Sequence, residues 1–373
     1  FPADGMEFVL SKWPAEPFGE IGGRYGDCLA QEEERIMKLV PGPEEEAGGF
    51  IAVVPGFGCK EPAFVSRELD DWLMTAPEIK INHLDARSMP LKLTEDAQRL
   101  LVCGSLGGRS FHDDEKTAIV TDFHKVPILK IDIMQRSYFD AVTTNEAFRS
   151  CLFERTAKTT DAGRLAADFA TIKTPRLSSG RTILPSLGQT PAANHFGASI
   201  LVLTKDHLPI LFRQGTDQFE GAGSVVVSGT GSSDWADRAA YPNNSNFLDV
   251  VRVTMAREFC EEGMPASSVA NLRIALANGG TDRDLLWSLS RQVMILGYFR
   301  WVSRFGKPEF VGVLRTELAY SDIAPDRKEV VALQDKVITL SEIRTMSDLS
   351  ELAKHLAGLA AQGKFQLGPV SYT

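Results

Sequence analysis

The sequence predicts an α/β protein in two parts, a smaller α/β layer followed by a unit of mixed strands and helices. Three observations predict it. Short apolar runs alternate with helical stretches through the first 160 residues. A segment rich in Thr, Pro, Ser and Gly then interrupts the pattern. Beyond it lies a well-bounded helix at 249–262, set among strands and carrying three glutamates and an arginine in its last turns. The expected division is 1–160 as the first domain, 161–195 as a connecting segment and 196–373 as the second domain.

Bulk properties bound the function. At 373 residues the chain is long for one domain and comfortable for two. With 43% hydrophobic and 24% charged residues it can fill real cores. The net charge of -9 argues against general nucleic-acid binding, which needs a basic footprint. It does not exclude a small anionic ligand held through a metal. No run of about 20 apolar residues occurs, so no membrane helix is expected. The opening F-P-A-D-G-M-E-F lacks a basic region and an apolar run, so no signal peptide is expected. The five cysteines (28, 59, 103, 151 and 260) form no C-x-x-C pair, which predicts a reducing, cytoplasmic setting. Homo-oligomerisation is left open.

In the first part, 28–39 reads as a helix, 48–55 as a buried strand and 62–75 as a helix. Apolar runs at 99–103 and 126–133 read as strands, the second leading into a helix over 137–156. The turn Gly104-Ser105-Leu106-Gly107-Gly108-Arg109 invites a phosphate-binding reading, but it lacks both the G-x-G-x-x-G and the P-loop patterns. A tight turn needing glycine is the better reading. Arg109, His112, Asp113 and Asp114 form a second candidate polar group.

In the second part, 198–204 and 208–213 read as a hairpin around Lys205-Asp206-His207, ending in Arg213. A strand at 225–227 runs into the glycine-rich S-G-T-G-S-S-D-W that ends at Trp235. After the central helix come helical stretches at 269–276 and 282–289 and strands at 292–302 and 310–315. A strand pair over 330–340 and a final helix at 347–362 complete the set, with Leu349, Leu352, Leu356 and Leu359 facing the core.

The central helix carries the chemistry. Leu248, Val251, Met255 and Phe259 recur at helical period, Asn246 can cap the start, and Gly263 with Pro265 writes the stop. Glu258, Glu261 and Glu262 lie on one arc beside that stripe. Like charges at such spacing repel unless a cation sits among them. Arg257 can answer one. A divalent hard cation, which takes oxygen ligands, would answer the rest.

Arg257-Glu258-Phe259-Cys260-Glu261-Glu262 resembles the core of the Nudix box. Three positions depart from that pattern: Asp249 stands at the upstream glutamate, Asn243 at the leading glycine, and the end reads Glu-Glu-Gly without the usual intervening residue. The resemblance covers roughly 196–365 and implies an α/β/α sandwich on a mixed sheet. It further implies hydrolysis of the pyrophosphate bond in a nucleoside diphosphate derivative, with Glu258, Glu261 and Glu262 holding Mg²⁺ or Mn²⁺ and Arg257 orienting a helix glutamate. The partner implied is a small nucleotide derivative.

Around this core, Trp235 is a candidate for stacking on a base, against ordinary packing. Arg213 ends the strand pair with which such domains begin. Arg300 is a candidate for phosphate. Glu309 opens a strand and would face the site. Two classes stay open: a metal-dependent pyrophosphohydrolase, and a module of the same fold that binds a nucleotide or nucleotide sugar without cutting it.

Overall fold

The computed structural model describes residues 7–12, 40–41, 50–53, 62–85, 113–123, 126–155, 164–168, 183–214, 224–240, 245–263, 282–320, 323, 330–332 and 343–362. In chain order the strands are β1 (Glu7–Lys12), β2 (Val40–Pro41), β3 (Phe50–Val53), β4 (Pro62–Val65), β5 (Lys80–His83), β6 (Glu115–Ile119), β7 (Lys130–Ser137), β8 (Ser150–Arg155) and β9 (Arg164–Asp168). They continue with β10 (Ile183–Leu184), β11 (Gly197–Leu203), β12 (Leu211–Gln214), β13 (Val225–Val227), β14 (Gly229–Ser232), β15 (Met294–Trp301), β16 (Lys307–Arg315) and β17 (Val330–Ala332). The α-helices are α1 (Arg67–Met74), α2 (Tyr138–Val142), α3 (Phe247–Gly263), α4 (Asp282–Ser290) and α5 (Met346–Ala361).

The main sheet has the order β14-β11-β16-β15-β4-β3. It is mixed, because β11 and β16 pair in parallel and every other neighbour pairs antiparallel. Side-chain alternation gives it two apolar faces. On one face, Ala198, Ile200, Val202, Phe310 and Leu314 pack with Phe247, Val251, Met255 and Phe259 of α3 and with Leu69 and Leu73 of α1. On the other, Leu201, Leu203 and Val313 pack with Leu349 and Leu352 of α5. Helices therefore cover both faces, and the predicted α/β/α layering is present. Among the described residues no helix is long and apolar enough to cross a membrane.

The sheet draws strands from both sides of the 161–195 segment. Phe64 of β4 pairs with Arg300 of β15, and β3 extends the same sheet. The smaller sheet, ordered β5-β7-β6, is tied to later residues by main-chain bonds at both edges. Ile81 N donates to Ser245 O at 3.0 Å, and Thr117 N donates to Ser233 O at 2.9 Å. Its Ile119, Ile131 and Ile133 join the same core as α3. The segment itself contributes β9 and β10.

Three local expectations are corrected. Residues 62–75 are not one helix: Pro62–Val65 is a strand, and Ser66 then caps α1 by accepting from Leu69 N at 3.3 Å. The β-forming Pro-Ala-Phe-Val run gains a ladder on both sides, which local helical pattern cannot show. Residues 137–156 hold the short α2, a 3-10 turn at Glu146–Arg149 and the strand β8. The hydroxyls of Thr143 and Thr144 donate back to the carbonyls of Phe139 and Asp140 where α2 stops. Finally, the hairpin around Lys205-Asp206-His207 is short: Leu203 pairs antiparallel with Pro209 and Ile210 N donates to Val202 O at 2.9 Å, after which β12 leaves to pair with β13 and β17 in a separate sheet. Ser228 marks the corner where the strand changes sheets, its hydroxyl accepting from Val202 N at 2.6 Å and donating to Ile210 O at 2.7 Å. The expected elements at 28–39, 99–103 and 269–276, the turn at 104–109 and His112 lie outside the described residues.

Candidate functional site

The site is organised by α3. Asn246 caps its start as expected, its side-chain oxygen accepting from Leu248 N at 3.3 Å and also from Ile79 N at 3.0 Å. Asp249 takes no part in the cap and pairs instead with Arg252 at 2.7 Å. Fourteen of the seventeen residues of α3 are buried, so this is no amphipathic surface helix, and Glu258 and Glu262 sit inside the protein. Two glycines let it approach β14. A Cβ on Gly229 would lie 2.6 Å from the main-chain nitrogen of Phe259, and one on Gly231 would lie 2.2 Å from the Glu258 carboxylate. The repeat of glycine at alternate strand positions is therefore a packing requirement of the helix above it.

Arg257 gathers the acids. Its Nε donates to Asp237 Oδ1 at 2.8 Å and its Nη2 to Asp237 Oδ2 at 3.1 Å, a two-point fork. Nη2 also reaches Ser232 O at 3.0 Å and Glu258 Oε1 at 2.9 Å. Nη1 donates to Glu261 Oε2 at 2.8 Å and lies 3.6 Å from Asp234 Oδ2. Asp237 is fully buried, and the Thr254 hydroxyl donates to it at 2.8 Å. Glu262 Oε1 accepts from Thr230 N at 3.2 Å. Lys116 of β6 completes the group from the first part of the chain, its ammonium bonded to Asp234. Four carboxylates, Asp234, Asp237, Glu258 and Glu261, thus meet these two cations, with Glu262 next along α3.

This crowding shifts the acids. Burial pushes the Glu258 carboxyl up to about 8, opposed by Arg257 and reinforced by the charges of Glu261 and Asp234. Burial likewise raises Asp237, against the pull of Arg257. Burial alone would lower Arg257, but Asp237, Glu258, Asp234 and Glu261 together hold it well above its ordinary value. Cys260, buried on the same helix, is a free thiol pushed up to about 12 by burial and is inert.

The other sequence candidates lie elsewhere. Trp235 is close by, in the 3-10 helix Trp235–Ala240 that also carries Asp237. Glu309 does not face α3. It alternates with Phe310, which packs toward the helix, so its side chain lies on the opposite side of the sheet. There its Oε1 accepts from Ser199 at 3.1 Å and its Oε2 lies 4.0 Å from Lys307, beside Gly197, where any Cβ would overlap the carboxylate. Arg304, Glu146 and His195 lie buried in the same region. Arg300 is fully buried: Nε donates to Gly306 O at 3.0 Å and Nη2 to Pro185 O at 2.8 Å, and burial brings it down to about 9. Arg213 sits on β12, next to Phe212, whose ring lies 3.5 Å from where a Gly263 Cβ would be. Asp113 accepts from Phe139 N at 3.0 Å, so one acid of the second candidate group serves the start of α2.

Sequence reasoning missed Asp234, Asp237 and Lys116. Asp234 and Asp237 stand on the stretch between the glycine-rich strand and α3, where spacing to Arg257 is set by a fold-back and not by a helical period. Lys116 is more than a hundred residues from its partner. A surplus of acids over cations near Arg257 was the available signal.

A metal fits this group by chemistry and not yet by grouping. The donors are hard carboxylate oxygens in excess over cations, the class that Mg²⁺ and Mn²⁺ take. Yet among the described residues no three His, Cys, Asp or Glu side chains are grouped closely enough to hold an ion. Arg257 occupies the middle.

The fold and site define an α/β protein with a mixed sheet, bearing a carboxylate–arginine centre between α3 and the 3-10 turn that precedes it. No family model matches the chain, and a search of curated proteins finds no match either. Among solved structures, a Nudix hydrolase from Alicyclobacillus acidocaldarius aligns with 48% of this chain and 87% of its own, at 14% identity and a TM-score of 0.31. At that score the overlap does not establish a shared fold.

Proposed function

We propose that this protein hydrolyses the pyrophosphate bond of a nucleoside diphosphate derivative with the help of a divalent cation, at the carboxylates of α3. The observation that carries the reading is the gathering of Asp234, Asp237, Glu258 and Glu261 about Arg257, with Glu262 next along α3. Carboxylates gathered this closely offer the hard oxygen donors that a divalent cation takes. Glu258, Glu261 and Glu262 would hold it. When bound, such an ion neutralises phosphate oxygens and acidifies a water. The protein's own groups do the positioning. Arg257 fixes Glu258 and Glu261 from one guanidinium, and Asp237 fixes Arg257 by its two-point fork. Lys116, held by Asp234 at the edge of the group, supplies positive charge toward an anionic substrate.

One observation favours a second reading, a nucleotide-binding module that does not cut. Arg257 already engages Asp237, Glu258 and Glu261, so the acids have an internal cation. A panel of nucleotide diphosphate derivatives with Mg²⁺ or Mn²⁺ separates the two. The hydrolase releases phosphate products from at least one compound, and Glu262→Gln loses on the order of 10³-fold in rate. Calorimetric titration of the metal into wild type and Glu261→Gln gives different isotherms. Intact nucleotide throughout, with identical titrations, leaves the binding module.

A further inference from the structure

Beside the carboxylates lies a half-buried cation that no acid among the described residues answers. The guanidinium carbon of Arg238 sits 3.3 Å from the centroid of the Trp235 ring, which is close stacking. Its Nε donates to Trp235 O at 3.1 Å, and its Nη1 lies 3.0 Å from His83 Nδ1. The His83 ring meets the indole edge-on, with centroids 6.0 Å apart. Trp235 rests on the rim of the main core. Arg238 forms an ion pair with no carboxylate among the described residues, although Asp237 is its neighbour in sequence: that carboxylate is taken by Arg257. Both contacts hold the guanidinium over the indole. Among the described residues Nη2 makes no hydrogen bond, and the side chain is only half-buried.

We propose that Trp235, Arg238 and His83 form a stacking subsite for the base of a nucleotide, built jointly by β5 of the first part and the 3-10 helix before α3. The plane supplied is cationic and aromatic-backed, which suits the π-face of a nucleobase. The remaining N–H groups lie in that plane and suit carbonyl or ring-nitrogen acceptors on the base edge. A lysine at 238 would supply charge without a plane. The subsite's place follows from chain geometry: Asp234, just before the short helix, and Asp237, within it, hold Lys116 and Arg257 on either side of Trp235 in sequence. A base stacked there puts its phosphates toward Lys116 and the acids of α3. This deepens the reading above and rests on it for the orientation of the phosphates, but not for the stacking itself. It also gives the first part of the chain a role: His83 and Lys116 come from the two edge strands of the small sheet and line one site.

The test is calorimetric binding of AMP, GMP, CMP and UMP to the full chain in EDTA, with ribose 5-phosphate as the probe lacking a base. Wild type binds at least one nucleotide and binds ribose 5-phosphate at least tenfold more weakly. Arg238→Ala and Arg238→Lys each lose about tenfold in nucleotide affinity, as loss of one stacking plane requires, while their thermal melts stay at the wild-type temperature. His83→Ala loses less. Equal binding by wild type and Arg238→Ala overturns the proposal. So does full rescue by Arg238→Lys, which would make the contact one of charge alone, or ribose 5-phosphate binding as well as the nucleotides, or no binding of any nucleotide. Failure of the hydrolase reading shows elsewhere, as an absence of product and of metal uptake with the EDTA affinities unchanged.

Discussion

Replacing Arg257 with methionine should cost this protein about 4 kcal/mol of stability at pH 7, and the figure can be reached in two ways. Asp237 is fully buried and receives both Nε and Nη2 of Arg257. Removing one partner of such a pair leaves the other charge uncompensated, at about 3–5 kcal/mol. The protein has one escape, to let Asp237 take up a proton. Protonating a carboxyl of ordinary pKa about 3.9 at pH 7 costs roughly 1.36 kcal/mol for each of about three pH units, or about 4 kcal/mol. The two routes agree, and the second predicts a pH dependence. In the variant, Asp237 is neutral when folded and ionised when unfolded, so the folded state binds the extra proton and the penalty shrinks as pH falls. At pH 5 it should be about 1.5 kcal/mol. Urea unfolding of wild type and Arg257→Met at pH 7 and pH 5 measures both gaps. The double variant Arg257→Met with Asp237→Asn should recover part of the loss at pH 7, since Asp237 no longer leaves a buried charge behind while Glu258 and Glu261 still lose their partner. A loss below about 1 kcal/mol at pH 7, or a gap that widens on acidification, would refute the account of Arg257 as the cation that answers Asp237.

Three other outcomes are expected. Gly229→Ala and Gly231→Ala should separate stability from site geometry: the first presses a methyl on the main chain at Phe259 and costs about 1–3 kcal/mol in a thermal or urea melt. The second meets only the end of the Glu258 side chain, so it should melt near wild type while changing the calorimetric metal isotherm. Burial raises the Asp70 carboxyl to about 6, so the folded state holds a proton that the unfolded chain releases, and wild-type stability should fall as pH rises from about 4 to about 6. Asp70→Asn keeps an acceptor for Tyr298 N and should remove that slope, gaining about 1–2 kcal/mol at pH 7 once solvent screening is allowed for. The fragment 196–373 should melt without cooperativity, because it lacks β4, α1 and the Ile119, Ile131 and Ile133 side chains of the shared core. A sharp melt would establish the division near residue 190 as a true domain boundary.

What the sequence determined by itself was local. The period of Leu248, Val251, Met255 and Phe259 fixed α3, and Leu349, Leu352 and Leu356 fixed α5, because a helix writes its buried face at a spacing visible within a few turns. The acid-rich end of α3 was legible for the same reason, since Glu258, Glu261 and Glu262 are neighbours through one helical period. Tertiary structure decided the rest. Pro62–Val65 became a strand because β3 and β15 were there to pair with it, and Ser150–Arg155 because β1 was. Glu309 reads as a strand residue that would face the site, yet which face of the sheet it took depended on a register set by β11 and β15. Asp237, Lys116, Arg238 and His83 reached the neighbourhood of α3 through a fold-back and through strand edges, contacts that span up to 155 residues in the case of His83 and Arg238. Pairing at that distance has no period in the sequence. It is set by which edges and faces remain unsatisfied once the local elements exist.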